Sequence, residues 1–461
     1  MPTTARTRAD ACPGVVSPHL AADGALARIR LPGGVITAPA LRAVARLAAD
    51  AGDGTVHLTS RGNLQLRGLD PADPRPVRRL AEAGLLPSFT HERVRNVLAS
   101  PLSGIRGGLA DVRGLAAAVD RGLCARPELA ALPGRFLVAL DDGRGDVAGE
   151  RPDLCWRASA PDDGELHVAG SATGLRCTPG SAPALLVDAA AAFLDLRAAH
   201  AGDPAARAWR AAELPGAPAR IAAALGGRAA PGAGTPPRPS PAEPPDAPPV
   251  PGDHAARAPG PHRPAGRLSD RETAGPPVGP LGDRALGAAP VLGEVSAAQL
   301  ELLAGLAPEL LVTPWRSLVL PAPAGDAADR LRAAGLVVDP DHPALRVSAC
   351  AGRPGCARSL ADVRADAREL IRLAPARPVH VAGCSRRCGA PHTLHADAVA
   401  TGPQAYEIDG DGPSGPLHQV AAAPAGAGRP SATPLRDPTP PDPTPHRGAP
   451  PSPQDRPRSS R

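Results

Sequence analysis

The chain has 461 residues, and its 61 Pro and 50 Gly are too many to be spread through packed cores, so part of it is linker. Aromatics are 2% against an apolar fraction of 43%, so the cores are built mainly from Ala, Val and Leu. All 51 basic residues are Arg, which excludes lysine chemistry and makes each fixed cation a planar, permanently charged fork. The net charge of +5 does not mark a nucleic-acid binder, because Arg is interleaved with Asp and Glu along the chain. The opening MPTTARTRADACPGVV lacks an apolar h-region, and no run approaches the ~18 residues of a membrane span, so a cytoplasmic protein without membrane contact is expected.

In chain order, a helical pattern LRAVARLAAD at 41–50 leads to an apolar strand with its turn, VHLTSRGNLQLRG at 56–68, and then to a second helix, VRRLAEAGLL at 77–86. Asn63 and Gln65 alternate with Leu64 and Leu66, which predicts one polar and one buried hairpin face. Between Pro215 and Pro280 lie 18 prolines with almost no apolar periodicity, a composition that predicts a disordered linker. The first order then returns: SAAQLELLAGLA at 296–307, ELLVTPWRSLVLP at 309–321 and ADRLRAAGLVV at 328–338. Thr59 aligns with Thr313, and Leu64 with Leu318. Helix, hairpin, helix occurring twice predicts two related half-domains about a pseudo-twofold axis, with room for a shared ligand between them. A second Pro-rich stretch, with 14 prolines from Pro413 onward, is again read as a tail without a core.

Cysteine gives the sharpest chemical signal. Cys350-x5-Cys356 is followed after 27 residues by Cys384-x3-Cys388. RVSAC at 346–350 reads as a strand, SLADVRADARELIRL at 359–373 as an amphipathic helix and VHVAG at 379–383 as a second strand. Both pairs are thus delivered to the same ends of neighbouring strands. A [4Fe–4S] cube tolerates an x5 spacing; zinc normally uses x2 to x4, and plain buried thiols are the bland alternative. Cys12, Cys124, Cys155 and Cys177 lack paired spacing and read as free or buried thiols. A lone G-x-G-x-x-A at 143–148 follows a strand, but Asp141 and Asp142 would repel a pyrophosphate. It reads as a hairpin turn, not a dinucleotide site, so electrons must come from a separate reductase or ferredoxin.

The cysteine spacing, TSRGNLQLRG at 59–68, RNVLASPLSG at 95–104, LPGRF at 132–136, TPWR at 313–316 and the early CPG at 12–14 together resemble the sulfite and nitrite reductase superfamily, and within it the precorrin-3B synthase family. The resemblance implies an α+β fold: ferredoxin-like half-domains at 12–85 and 284–343, an α/β domain at 86–212 and a [4Fe–4S]-binding α/β domain at 344–410. The linker is then 213–283 and the tail 411–461. It implies a monooxygenase of aerobic cobalamin biosynthesis, converting precorrin-3A with O2 to precorrin-3B by C20 hydroxylation and γ-lactone formation. Cys350, Cys356, Cys384 and Cys388 would hold the cluster. The family is also associated with a non-haem iron whose ligands no motif identifies. His392-x2-His395 is the histidine pair best placed for it, although a lone His is ordinarily structural.

A precorrin carries many carboxylates, which Arg recognises through bidentate pairing. Arg61, Asn63, Gln65, Arg67, Arg95 and Arg135 lie in the matched motifs and are the expected substrate-binding residues. Two features depart from the pattern. The second cysteine loop reads GCSRRCGAP, placing Arg386 and Arg387 beside the cluster, and the lysines that protonate and bind the anion in sulfite reductases are missing. The alternatives are a sirohaem-dependent sulfite or nitrite reductase, or a non-catalytic cluster protein.

Overall fold

The computed structural model describes residues 12–200, 207–226, 275–409 and 415–418. The chain opens with β1 (His19–Ala21), β2 (Gly24–Ile29), β3 (Val35–Thr37), α1 (Ala38–Ala51), β4 (Thr55–Leu58), β5 (Leu64–Leu69) and α2 (Arg75–Glu82). It continues through β6 (Val97–Ala99), α3 (Arg113–Cys124), β7 (Val138–Asp141), β8 (Leu154–Ala160), β9 (Asp163–Val168), β10 (Ser171–Cys177), α4 (Ala182–Ala198) and α5 (Ala217–Gly226). The opening order returns as β11 (Gly279–Pro280), β12 (Ala285–Ala288), β13 (Glu294–Ser296), α6 (Ala297–Leu306), β14 (Glu309–Val312), β15 (Leu318–Pro321) and α7 (Ala327–Ala333). Then come β16 (Val347–Ala349), α8 (Val363–Arg372), β17 (Val379–Ala382), β18 (Ala396–Ala400) and β19 (Tyr406–Ile408). The fold is mixed α+β.

The half-domain repeat extends to single hydrogen bonds. Thr37 caps α1, and Ser296 forms a capping box with Gln299 on α6. Helices α2 and α7 both stop at an Ala-Gly-Leu in which Gly84 and Gly335 have φ of +72° and +82°. There the Leu85 and Leu336 amides donate to Leu80 O and Leu331 O at 2.9 Å. In the hairpin turns, the Thr59 amide donates to Asn63 O and the Thr313 amide to Ser317 O, each at 2.9 Å.

The two halves also exchange strands. The first sheet runs β1-β2-β5-β4-β13 and the second β11-β12-β15-β14-β3, so each is completed by a strand of the other half. Val295 lies opposite Val56, and Ile36 opposite Leu310. One core therefore spans both halves, with Ile36, Leu41, Val44, Val56, Leu64, Val295, Leu303 and Leu310 all buried.

The two α/β units repeat as well, which the sequence reading did not anticipate. Strands β6, β7 and β8 are parallel and followed by antiparallel β9; β16, β17 and β18 are parallel and followed by antiparallel β19. Val97 pairs with Val138 and Val138 with Leu154, just as Val347 pairs with Val379 and Val379 with Ala396. The 143–148 segment is consequently a crossover between parallel strands, not the hairpin turn expected.

Other expectations shift. The stretch expected as linker, 213–283, is described only at its ends: α5 buries Ile221 and Leu225 in the core of the first α/β unit, and β11 joins the second sheet. The rest of the linker, and the tail apart from 415–418, lie outside the described residues. A helical stretch at Pro179–Ala198, 20 residues with mean hydropathy 1.2, does reach membrane-spanning length, contrary to the sequence reading. Half of it is buried, with Leu186, Ala190 and Phe193 in the core of this unit.

Ile36→Ala is expected to lower stability by about 2–5 kcal/mol. Because its partner strand belongs to the other half, hydrogen exchange should accelerate at Leu310 and Leu311 as well as in β3. Acceleration confined to β3 would contradict the exchange.

Candidate functional site

Cys350 and Cys384 follow β16 and β17 directly, at the same ends of adjacent parallel strands. The Cys350 amide donates to Val381 O at 3.1 Å, and the Gly383 amide donates to Cys350 Sγ at 3.3 Å. Gly383 has no substitute here, since a Cβ would lie 1.8 Å from Ser359 Oγ. Burial raises the Cys350 thiol, and the charges of Cys384 and Cys356 raise it further; the Cys388 thiol is raised by burial, Cys350 and Cys384. The four thiols thus face one another. Among the described residues, however, no three of them bring their sulfurs within 4.8 Å. Tetrahedral zinc, with Zn–S of about 2.3 Å, needs sulfurs about 3.8 Å apart. The donor set fits a larger group with iron and sulfide between the thiolates.

Two arginines tie these loops to the half-domains. Arg67 on β5 donates to both carboxylate oxygens of Asp23 at 2.8 and 2.9 Å and to Gly355 O, between the first two cysteines, at 2.6 Å. Arg316, in the β14–β15 turn, donates to Gly389 O, just beyond Cys388, at 2.7 Å. Arg316 occupies the place that Gly62 holds in the first hairpin, and both are left-handed, with φ of +57° and +62°. An arginine in that conformation is strained where glycine is not.

The expected substrate residues divide by their partners. Arg67 is committed to Asp23 and Gly355. Arg95 is buried and locked to Asp120 at 2.6 and 2.7 Å. Asn63 accepts from the Leu31 amide and donates to Asn96 Oδ1. Each of these three has a partner within the protein that satisfies it. Gln65 accepts from Arg28 at 3.2 Å on the polar hairpin face.

Arg61 and Arg135 are different. Among the described residues neither has a carboxylate within ion-pair distance, and Arg28, which the sequence reading missed, has none either. Arg61 is pushed down to about 10 by burial, with Arg210 and Arg28 adding like charge. Arg28 is lowered by burial and by Arg135, and its Nε is buried without a hydrogen-bond partner. Arg135 lies 5.0 Å from the Trp209 ring. Across from them, His392 of the cluster loop is lowered by burial and by Arg151, Arg210 and Arg61. These groups form one cluster of positive charge that reaches His392 of the second cysteine loop, suited to a ligand with several carboxylates.

His392 and His395 take different partners, while the rings of His380 and His395 meet edge-on with centroids 6.1 Å apart. His392 Nε2 lies 3.9 Å from Glu150, whereas His395 lies 3.4 Å from Asp397, bonds to Thr393 O and is almost fully enclosed. His380 is pushed down to about 3 by burial, Arg316 and His395, and so stays neutral. Ser100 occupies the position in the first α/β unit that Cys350 holds in the second. Its Oγ accepts from the Asp142 amide at 3.1 Å, as Cys350 Sγ does from Gly383, and donates to Asp146 at 2.6 Å.

Comparison with known proteins identifies the architecture. Residues 19–83 match the family described as Nitrite/Sulfite reductase ferredoxin-like half domain. The matched segments are similar to proteins of the sulfite and nitrite reductase superfamily. It is 34% identical to a precorrin-3B synthase from Sinorhizobium sp over 142 residues, covering 31% of this chain and 30% of that protein. It is 33% identical to a ferredoxin–nitrite reductase from Synechococcus elongatus over 173 residues, covering 36% and 34%. The chain thus spans about a third of the length of the curated relatives it matches. The structure of the Mycobacterium tuberculosis NirA protein shares the fold, with a TM-score of 0.59 and 21% identity over 83% of this chain and 74% of that one.

Within this superfamily fold, the motifs matched from sequence surround the site, but motif membership did not separate arginines that bind the protein's own carboxylates from those that do not. Arg67→Ala leaves Asp23 and Gly355 without their partner. The expected loss is about 3–5 kcal/mol, the size for a broken buried ion pair, in urea unfolding. Arg61→Ala, with no ion pair to break, should lose under about 1 kcal/mol.

Proposed function

We propose that this chain is a precorrin-3B synthase: an oxidoreductase that hydroxylates precorrin-3A at C20 with O2 and closes the γ-lactone. The observation that carries this reading is the cluster of Arg28, Arg61 and Arg135, cations without a carboxylate partner among the described residues, which reaches His392 of the second cysteine loop. The oxidoreductase names of the relatives support it. Cys350, Cys356, Cys384 and Cys388 would hold a [4Fe–4S] cluster, which supplies single electrons when bound. Arg28, Arg61 and Arg135 bind and orient the substrate carboxylates. Cys388 is exposed, so an external donor, a ferredoxin or a reductase, can approach the cluster edge.

The second reading is a sirohaem-dependent nitrite reductase, favoured by the names of the cyanobacterial relatives. A sirohaem also carries carboxylates, so the arginines suit both. The absence of lysine favours the first, because an arginine, which holds its proton far above neutral pH, is a poor proton donor to a small anion.

Anaerobic purification with iron and sulfide assay, absorption and EPR spectra separates the two. About four iron and four sulfide per chain without sirohaem bands, lost in Cys384→Ala, is expected. Sirohaem bands would move the assignment to the reductase, and zinc without sulfide would overturn both. In the same preparation, Arg61→Ala should weaken binding of a polycarboxylate tetrapyrrole roughly ten- to a hundredfold, the worth of one charge-assisted contact.

A further inference from the structure

The loop from Asp142 to Asp153 takes no part in the reading above, yet it places a buried carboxyl at the meeting point of three units. Glu150 lies four residues before Leu154 of β8, and His392 four residues before Ala396 of β18, and these strands are equivalent in the two α/β units. The two side chains therefore occupy corresponding positions and meet at 3.9 Å. Glu150 is 11% exposed and His392 46%. The groups facing Glu150 are Asp146 and Arg151 from its own loop, Trp315 and Arg316 from the β14–β15 turn, and His392 from the cysteine loop, with the Trp315 indole near enough to favour the charged carboxylate.

Burial outweighs Arg316 here and pushes the Glu150 carboxyl up to about 7, with the charge of Asp146 acting in the same direction. Asp146 is itself pushed up to about 7 by burial and Asp141. At neutral pH the pair retains a proton. His392 is biased the other way, because the arginines around it disfavour an imidazolium. A cluster of positive charge disfavours a cationic acid, whereas a neutral carboxyl is not repelled. In a chain without lysine, Glu150 is a proton carrier that this cluster tolerates, and of the two carboxyls it is the one that meets His392.

We propose that Glu150 is the proton-relay residue of this site, handing a proton to His392 Nε2 so that the imidazole passes one to the reacting oxygen of a ligand held at the arginine cluster. The Glu150 O–H bond breaks as the His392 N–H bond forms; no electron moves, and solvent reprotonates the carboxylate. The inference rests on the site assignment above but not on which of the two reactions runs there, since monooxygenation, which releases one oxygen atom as water, and nitrite reduction both consume protons.

The test starts with the full chain and no substrate. Emission of Trp315 is expected to titrate with a midpoint near pH 7, to lose that transition in Glu150→Gln and to lose the signal in Trp315→Phe. Because the folded-state value is raised from 4.5, Glu150 lends stability below about pH 4.5 that disappears as pH rises through about 7. The melting temperature of Glu150→Gln should accordingly vary less across that window. With substrate, Glu150→Gln should lower kcat by roughly 10²–10⁴ at unchanged KM for the tetrapyrrole. His392→Gln should lower kcat while leaving the Trp315 titration in place, and it carries the test should Glu150→Gln not fold. A titration that survives Glu150→Gln, or wild-type kcat and pH profile in both variants, would overturn the relay. Absence of turnover in the wild-type chain counts against the proposed function, and the titration still decides whether Glu150 holds the proton.

Discussion

The exchange of β3 and β13 is the constraint on which the rest of the site depends. Neither half-sheet is complete without a strand of the other, so the two hairpin turns, at 59–63 and 313–317, are fixed relative to each other by backbone hydrogen bonds rather than by side-chain packing alone. The thiol loops then attach to this frame through Arg67 and Arg316, one clamp from each half. His57 adds to the same seam, lying between Asp53 of its own half and Glu294 of the exchanged strand.

A chain whose cations are all arginine uses one side chain for two purposes, and the neighbour decides which. Where a carboxylate is within reach, as for Arg67, Arg95 and Arg144, the guanidinium is a bidentate brace. Where none is among the described residues, as for Arg28, Arg61 and Arg135, the like charges disfavour one another and no ion pair neutralises them. Repulsion and burial that lower Arg61 to about 10 still leave it charged at neutral pH, so this field does not switch off with modest acid or base.

Much of the fold was legible because its signals are local. The half-domain repeat could be read from Thr59 against Thr313 and Ala83-Gly84-Leu85 against Ala334-Gly335-Leu336, where turn and cap chemistry impose the same residues twice. The strand–helix–strand delivery of the cysteines followed from periodicity and spacing. Strand exchange was not legible, since β3 and β13 are three residues each and their partners are remote in sequence. The repeat of the α/β units was hidden because backbone topology preserves it while side chains do not: Ser100 stands for Cys350, and Glu150 for His392. The ion pairs of Arg67 and Arg95 were not legible, because Asp23 and Asp120 are tertiary partners that no motif contains. Arg28 was missed because it sits in β2, outside every matched motif.

The exchanged strands also bear on how the polypeptide is made. During synthesis the open edge of β4 at Leu58 has no partner until Glu294–Ser296 has left the ribosome, which at about 5–20 residues per second is a wait on the order of tens of seconds. Until then the first half-sheet presents unpaired amides and carbonyls, Val56 among them, to any other extended chain. Long-range pairing of this kind slows folding and favours premature association. Expression at reduced temperature, or with chaperones that shield nascent edges, follows as a practical requirement of this topology.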